Sequence, residues 1–324
     1  MDQILLLVFD NITSPMVLFF GLGVGASLLR SDLEIPQSAA RFLSIYLMLA
    51  IGFKGGAAVA EHGIEFQMVA TLASCAILSF VTPFIAYFIL RRMSNLPTVD
   101  VAAVAAHYGS ISVVTLAAGM ELLKQFGLDY EGYIVAAAAV MEFPAIISGL
   151  WLAKQFARSN TSNKEGLFRH VFSNGSIVVL LGAFIIGWIS GERGLSDIAP
   201  FIIDPFNGVL CIFLLDMGIV AGRGFRDKKN VIGPREITFG FAMPLFSIVL
   251  ATPFVLILDL SVGGSALLFT LAASASYIAV PAAMRFTLPS ANPAVYITMS
   301  LGITFPLNLT IGIPIYIALA RLVA

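Results

Sequence analysis

Gly109, Ser110, Ser112 and Thr115 interrupt the apolar stretch AAHYGSISVVTLAAGM (Ala105 to Met120), and Ser274, Ser276 and Tyr277 interrupt a second one, AASASYIAVPAAM (Ala272 to Met284). Where a helix breaks, the next half-helix presents unpaired N–H groups and a partial positive charge. Hydroxyls beside that tip complete an anion site without Lys or Arg. Such a site suits carriage, because a fixed full charge would hold a small anion too tightly to release. The bland alternative is structural: Ser and Thr in membrane helices bond their own backbone, and small residues let helices approach closely.

Acids at membrane depth are the second chemical signal. Glu142 stands immediately before Phe143-Pro144 and Asp216 lies inside another apolar run. An ionisable group at a helix centre costs about 2.5–3.5 kcal/mol on insertion scales, so it usually faces a cavity, an ion path or a partner. With the hydroxyl of Thr304 these acids form a candidate Na⁺ or proton site. A structural hydrogen bond or ion pair is the competing reading, with Lys54 a conceivable partner for Asp216. His107 adjoins the first interruption and titrates near neutrality when unperturbed, although a lone His in a packed helix is usually just hydrogen-bonded.

The elements that must position these groups are membrane helices. Hydrophobic residues fill 59% of 324 positions and charged ones 11%, against about 25% charged in soluble domains. About 20 apolar residues cross the hydrocarbon core. Spans are read near 14–30, 39–56, 67–90, 99–124 and 131–155, then near 174–191, 203–222, 235–258, 263–285 and 293–320. The expectation is an all-α polytopic membrane protein of ten helices. Its first five-helix repeat covers 1–156, a cytoplasmic linker 157–172, and a second repeat 173–324.

Basic residues test the count. With both termini outside, the inner loops hold fourteen Lys and Arg, including Arg91, Arg92, Arg223 and Arg235, and the outer side only Lys54, Lys124, Arg193 and Arg321. This is a strong positive-inside asymmetry and supports ten spans with both ends outside; the expected location is a bacterial inner membrane. The halves also echo one another. Tyr133-Ile134 and Phe143-Pro144 recur as Tyr296-Ile297 and Phe305-Pro306, and LAIGFKGG (Leu49 to Gly56) as LDMGIVAG (Leu215 to Gly222). Five is odd, so the second copy enters from the opposite face and the repeat is inverted. Chance similarity among Ala-, Gly- and Pro-rich helices is the alternative.

Other chemistries are missing. There is no phosphate-cradling Gly loop, zinc-ligand spacing or GxSxG elbow, so neither an ATP-driven pump nor an enzyme is read from this chain. Cys75 and Cys211 lack metal-type spacing and are read as buried thiols. MDQILLLVFD lacks a basic n-region and a cleavage pattern, so no removable signal peptide is expected. The run RGFRDKKN (Arg223 to Asn230) is explained by positive-inside anchoring, with membrane lipid as its neighbour. No nucleic-acid partner is expected.

LPSANPAVYI (Leu288 to Ile297), MEFPAI (Met141 to Ile146), LLDMG (Leu214 to Gly218) and the Ser-rich interruptions resemble the sodium-dependent bicarbonate transporter family, known from cyanobacterial carbon-concentrating systems. The resemblance covers essentially the whole chain. It implies core and gate domains, movement of the core past the gate, a homotrimer, and substrate held between the interrupted helices. Gly109, Ser110, Ser112 and Thr115 match the family's first substrate segment, Ser274 and Ser276 its second, and Glu142 the acidic position of its acidic-x-Pro-Ala motif. It also implies Na⁺ as coupling ion, no cofactor besides, and room for a PII-like regulatory protein at the inner face.

The chain departs from the family where cyanobacterial members read Ser-Ser-Ser-Asp: here the residues are Ser274-Ala275-Ser276-Tyr277. Val113 and Val114 also replace serines. The reading is a secondary transporter importing a small monovalent anion, most simply bicarbonate with Na⁺. A proton- or sodium-coupled carrier of another small anion, such as a short carboxylate, and a non-transporting solute sensor stay open.

Overall fold

The computed structural model describes residues 2–63, 65–156, 175–227, 232–278, 280–281, 284 and 288–323. The linker 157–172, Lys228 and Lys229 of the basic run, and Arg285 lie outside the described residues, as do Ala279, Ala282 and Ala283 of the second interruption. Every regular element among the described residues is helical.

In chain order the helices are α1 (Asp2–Ile12), α2 (Pro15–Leu28), α3 (Gln37–His62), α4 (Phe66–Met93), α5 (Thr98–Gly109), α6 (Val113–Gln125), α7 (Ile134–Val140) and α8 (Glu142–Phe156). The second half adds α9 (Gly175–Ile202), α10 (Phe206–Asp227), α11 (Pro234–Leu258), α12 (Val262–Ala273) and α13 (Pro293–Val323). Eight stretches are long and apolar enough to cross a membrane, coinciding with the second to eighth and the tenth spans expected from the sequence. The first and ninth differ. Ser14 caps α2 and Pro15 starts it, so α1 and α2 meet at a 59° bend and α2 alone is only 14 residues long. The ninth is described as the short apolar helix α12, which stops at Ser274.

Two seams dominate the packing: α3 lies along α9, and α2 along α10. Glycine makes both possible. A Cβ on Gly52 or Gly56 of α3 would strike the carbonyls of Leu180 and Phe184 on α9. One on Gly218 of α10 would strike that of Phe20 on α2, and one on Gly222 would meet Val24 O and Ser27. Small residues four apart let membrane helices touch backbone to backbone. These positions belong to the two octapeptides that echo each other in sequence. Gly191, at φ 59°, kinks α9 in a conformation glycine adopts without strain.

α4, α5 and α8 form a second packed set, joined through α4 to α11, while α11 and α13 pack on α12. The fold thus contains a four-helix group (α2, α3, α9, α10) beside a group that carries both interrupted segments. One hydrophobic core runs through both groups. Gly55 of α3 abuts Val135 of α7, and Gly132 abuts Ala58.

Candidate functional site

The two interruptions cross each other. α5 ends at Gly109, Ser110 and Ser112 are extended, and α6 starts at Val113. α12 ends at Ala273 and Ser274 is extended in the same way. The Ser112 amide donates to Ser274 Oγ at 3.0 Å, and the Ser276 amide donates to the His107 carbonyl at 2.9 Å. Each extended segment therefore satisfies backbone groups that the other's broken helix leaves open, as buried backbone requires.

Each segment also caps its own following helix. Ser112 Oγ accepts from the Thr115 amide at 3.1 Å, and Ser276 Oγ from the Val280 amide at 3.3 Å. A hydroxyl that accepts still has one proton to donate. The donors of Ser110 and Ser274 are already used: Ser110 gives its proton to Glu142 Oε2 at 2.6 Å, and Ser274 to the Leu271 carbonyl at 2.9 Å. The four serines thus divide into two scaffold hydroxyls and two available ones.

The available pair lines a narrow slit together with Met48, Ile111, Val113, Glu142, Tyr277 and Ile278. Its water-accessible volume is only ≈ 10 Å³, about what one water needs. The site is closed. Ser112 N and Thr115 N are bonded at the tip of α6, which leaves the Val113 and Val114 amides without a protein acceptor among the described residues. The Val113 amide, two hydroxyls and the positive end of α6 therefore adjoin the same space as one carboxylate.

Donors for an anion and an acceptor for a cation thus stand side by side. A family model described as the Na⁺-dependent bicarbonate transporter superfamily matches residues 15–321. The chain belongs to this superfamily. Its members are multi-pass transporters, not enzymes. A search of curated proteins returned no match.

Within this superfamily member, not every residue singled out from sequence reaches the slit. Gly109 packs against the Pro83 ring and Ser79 of α4, where a Cβ would not fit. Thr115 is buried one turn into α6 with Oγ1 unpartnered. Thr304 donates to the Gly240 carbonyl at 2.9 Å, so its bond with Tyr108, at 2.6 Å, must be donated by the phenol. Asp216 is buried in α10 and is not among the residues that line the slit. Lys54 is not its partner: that ammonium sits 4.5 Å over the Phe206 ring, ten residues or about 15 Å along α10 from Asp216.

Several groups escaped the sequence reading. Asn308 donates to the Ala273 carbonyl at 2.9 Å, closing the end of α12, and Tyr316 donates to Asn308 Oδ1 at 2.5 Å. Both lie on α13, whose backbone widens to π geometry at Thr298–Thr304 and Asn308–Gly312, either side of Phe305-Pro306. Such widened turns recur at functional sites. Phe305 meets Tyr277 edge-on at 5.2 Å and Phe20 at 5.4 Å, linking the slit wall to the four-helix group. Ser79 donates to the Met141 carbonyl between α7 and α8, which helps seat Glu142. Asp100 accepts from the Asn292 amide at 2.7 Å, tying α5 to the PSANP motif. An Asn in an apolar helix was the available hint for Asn308. Nothing in the sequence distinguished Ser79 from other serines.

Proposed function

We propose that the protein imports bicarbonate with Na⁺ across a bacterial inner membrane. One observation carries this reading: the tip of α6 with its open Val113 amide, the Ser112 and Ser276 hydroxyls and the Glu142 carboxylate line a single closed slit. Bicarbonate offers three oxygens to the Val113 amide and the Ser112 and Ser276 hydroxyls. Beside Glu142 it would bring a second negative charge. At an effective dielectric of about 20, like charges 4 Å apart repel by roughly 4 kcal/mol. A cation between them reverses the sign, so Na⁺ becomes a condition of anion occupancy. The loaded slit is then close to neutral and crosses the low-dielectric region at far lower cost than either ion alone.

The architecture behind this proposal is ten spans in two inverted repeats of five, with α2 as the first span and α12 opening the ninth. What supports it is that exchanging the halves turns the α3–α9 seam into the α10–α2 seam, Gly52 and Gly56 answering to Gly218 and Gly222. Likewise α4 on α5 answers to α11 on α12, and the Ser112 cap to the Ser276 cap. On this reading the four-helix group is the gate, and the group carrying the interruptions is the core that slides past it. The exposed apolar face of α9, with Ile185, Ile186 and Ile189, meets lipid or neighbouring copies in a homotrimer. A PII-like regulator would dock at the inner face.

The deciding experiment is uptake of ¹⁴C-bicarbonate into proteoliposomes under an imposed inward Na⁺ gradient. Uptake that collapses when K⁺ replaces Na⁺ supports the proposal. Uptake driven equally well by a proton gradient, or by acetate in place of bicarbonate, transfers it to a carrier of another anion. Binding without flux makes the protein a sensor.

A further inference from the structure

Among the side chains that line the slit, Ser112, Ser276 and Glu142 each hold a hydrogen bond within the protein, and the Tyr277 hydroxyl holds none among the described residues. Tyr277 is only 9% exposed. Its hydroxyl is turned toward the Ser112 side chain without reaching hydrogen-bond geometry. Glu142, the strongest acceptor in the slit, takes its proton from Ser110 instead. A phenol is protonated at neutral pH and always has one proton to give. Burying that donor unpaired is unfavourable, so its place in the slit calls for a reason.

Packing, not a polar bond, holds the phenol there. The preceding residue is anchored twice: the Ser276 amide donates to the His107 carbonyl at 2.9 Å, and Ser276 Oγ accepts from the Val280 amide at 3.3 Å. The Tyr277 ring meets Phe305 edge-on at 5.2 Å, and Phe305, itself buried, meets Phe20 at 5.4 Å. The hydroxyl therefore cannot swing away to a partner elsewhere without breaking this aromatic row. A donor fixed in advance by its neighbours loses little freedom when a ligand accepts from it.

The position of this donor decides what it can recognise. Ser112 Oγ accepts from the Thr115 amide and keeps its own proton to give, so Ser112 and Tyr277 are two donors facing one place. A single oxyanion oxygen accepts from both; a C–H or methyl group in that place satisfies neither. Ser276 is the chain neighbour of Tyr277, but a serine hydroxyl stays beside its own backbone whereas a phenol reaches out by the length of a ring. The Ser276 hydroxyl and the Val113 amide thus remain for the other oxygens of the same anion. A site built to bond a polar group rejects an analogue that lacks it more strongly than an apolar pocket can, because its own donors are left unpaired.

We propose that Tyr277 is the specificity-determining residue of the slit: its phenol donates to the third oxygen of a bicarbonate-class anion and so sets that anion above two-oxygen carboxylates such as formate. This rests on the transport reading, and the two are tested apart. Tyr277→Phe keeps the ring against Phe305 and removes only a hydroxyl that has no protein partner. The ligand-free variant in detergent should therefore melt at or above the parent's temperature; a lower value reveals a structural bond and overturns the proposal. With Na⁺ present, the bicarbonate concentration needed for a fixed rise in melting temperature should increase about tenfold in Tyr277→Phe, while that for formate stays within about twofold. Equal weakening of both anions, or of neither, overturns the proposal, as does a parent that bicarbonate does not stabilise. In proteoliposomes, half-saturating bicarbonate for uptake should rise by the same factor. Parent-like uptake kinetics in Tyr277→Phe overturn the role of Tyr277 and leave the transport reading intact. A parent that prefers bicarbonate in the melting series, loses the preference in Tyr277→Phe and yet takes up none overturns the transport reading instead.

Discussion

Ser110 donates its hydroxyl proton to Glu142 Oε2 across 2.6 Å, and so ties the first interruption to the start of α8. The bond places the one carboxylate of the slit beside the tip of α6 and fixes which serine proton is unavailable to a substrate. A bond to a charged acceptor contributes about 1.5–3 kcal/mol. The geometry of the cation end therefore depends on a residue that never needs to touch the anion.

Glu142→Gln keeps the shape of that contact and removes its charge. With a cation contact in a dry slit worth about 2–3 kcal/mol, half-saturating Na⁺ for uptake should rise roughly 30- to 150-fold. Initial rates measured over a Na⁺ series check this. Glu142→Asp, which retains charge but draws it back by one methylene, should fall between the two. An unchanged Na⁺ dependence in Glu142→Gln removes this residue from the coupling scheme.

The four serines should separate by readout. Ser112→Ala and Ser276→Ala each lose a donor to the slit, worth about 1 kcal/mol, so half-saturating bicarbonate should rise about fivefold. Both also lose a helix cap, at a further cost of about 1 kcal/mol in stability. Ser274→Ala leaves the Ser112 amide unbonded and should lower the melting temperature in detergent while the surviving protein keeps the parent half-saturation. Uptake kinetics run beside thermal unfolding on the same preparations test the division. If Ser274→Ala instead mimics Ser276→Ala in half-saturation, the assignment of available and scaffold hydroxyls is wrong.

How much of this was legible beforehand follows from what each signal depends on. Span positions were readable because hydrocarbon imposes a length of apolar sequence on every crossing, and α3 to α11 obey it. The interruptions were readable because Gly and Ser cannot be mistaken for lipid-facing residues. What each hydroxyl does was not, since Ser110 and Ser112 differ only in which carbonyl or carboxylate another helix brings to them. Val113 and Val114 looked like lost serines, yet their backbone amides supply donors that no side-chain reading registers. Asp216 and Thr304 drew attention as polar residues in apolar runs, whereas their surroundings lie off the slit. The glycine echo between Leu49–Gly56 and Leu215–Gly222 was weak as sequence and strong as packing, because only the carbonyls of α9 and α2 explain why those positions exclude a Cβ.

The seams give a contrast within single helices. Gly187 on α9 abuts the Phe53 backbone, whereas Gly182 on the same helix has nothing within 4 Å of a Cβ. Gly187→Ala should therefore force the seam apart and destabilise the protein by about 1–3 kcal/mol. Gly182→Ala should be neutral or stabilising by up to about 1 kcal/mol. A second such pair lies on α10: Gly218→Ala, where a Cβ meets the Phe20 carbonyl, and Gly208→Ala, where it meets nothing. Denaturation midpoints in one detergent should rank the four in two matching pairs. Equal losses at Gly182 and Gly187 would mean that helix α9 is not seated on α3 as described.

Sidedness is the remaining premise, and the chain is suited to a thiol test because its own cysteines are hidden: Cys75 is fully buried and Cys211 is 8% exposed. Asp259, exposed after α11, and Asp32, exposed between α2 and α3, lie at opposite ends of the bundle on the ten-span reading. Fourteen basic residues against four put Asp32 inside and Asp259 outside. A membrane-impermeant maleimide applied to intact cells should then label Asp259→Cys at once and Asp32→Cys only after permeabilisation. Reversed labelling inverts the whole molecule and puts Lys54 and Lys124 on the cytosolic side. Labelling of both from one side would require an even number of crossings between residues 32 and 259, which seven continuous spans do not allow.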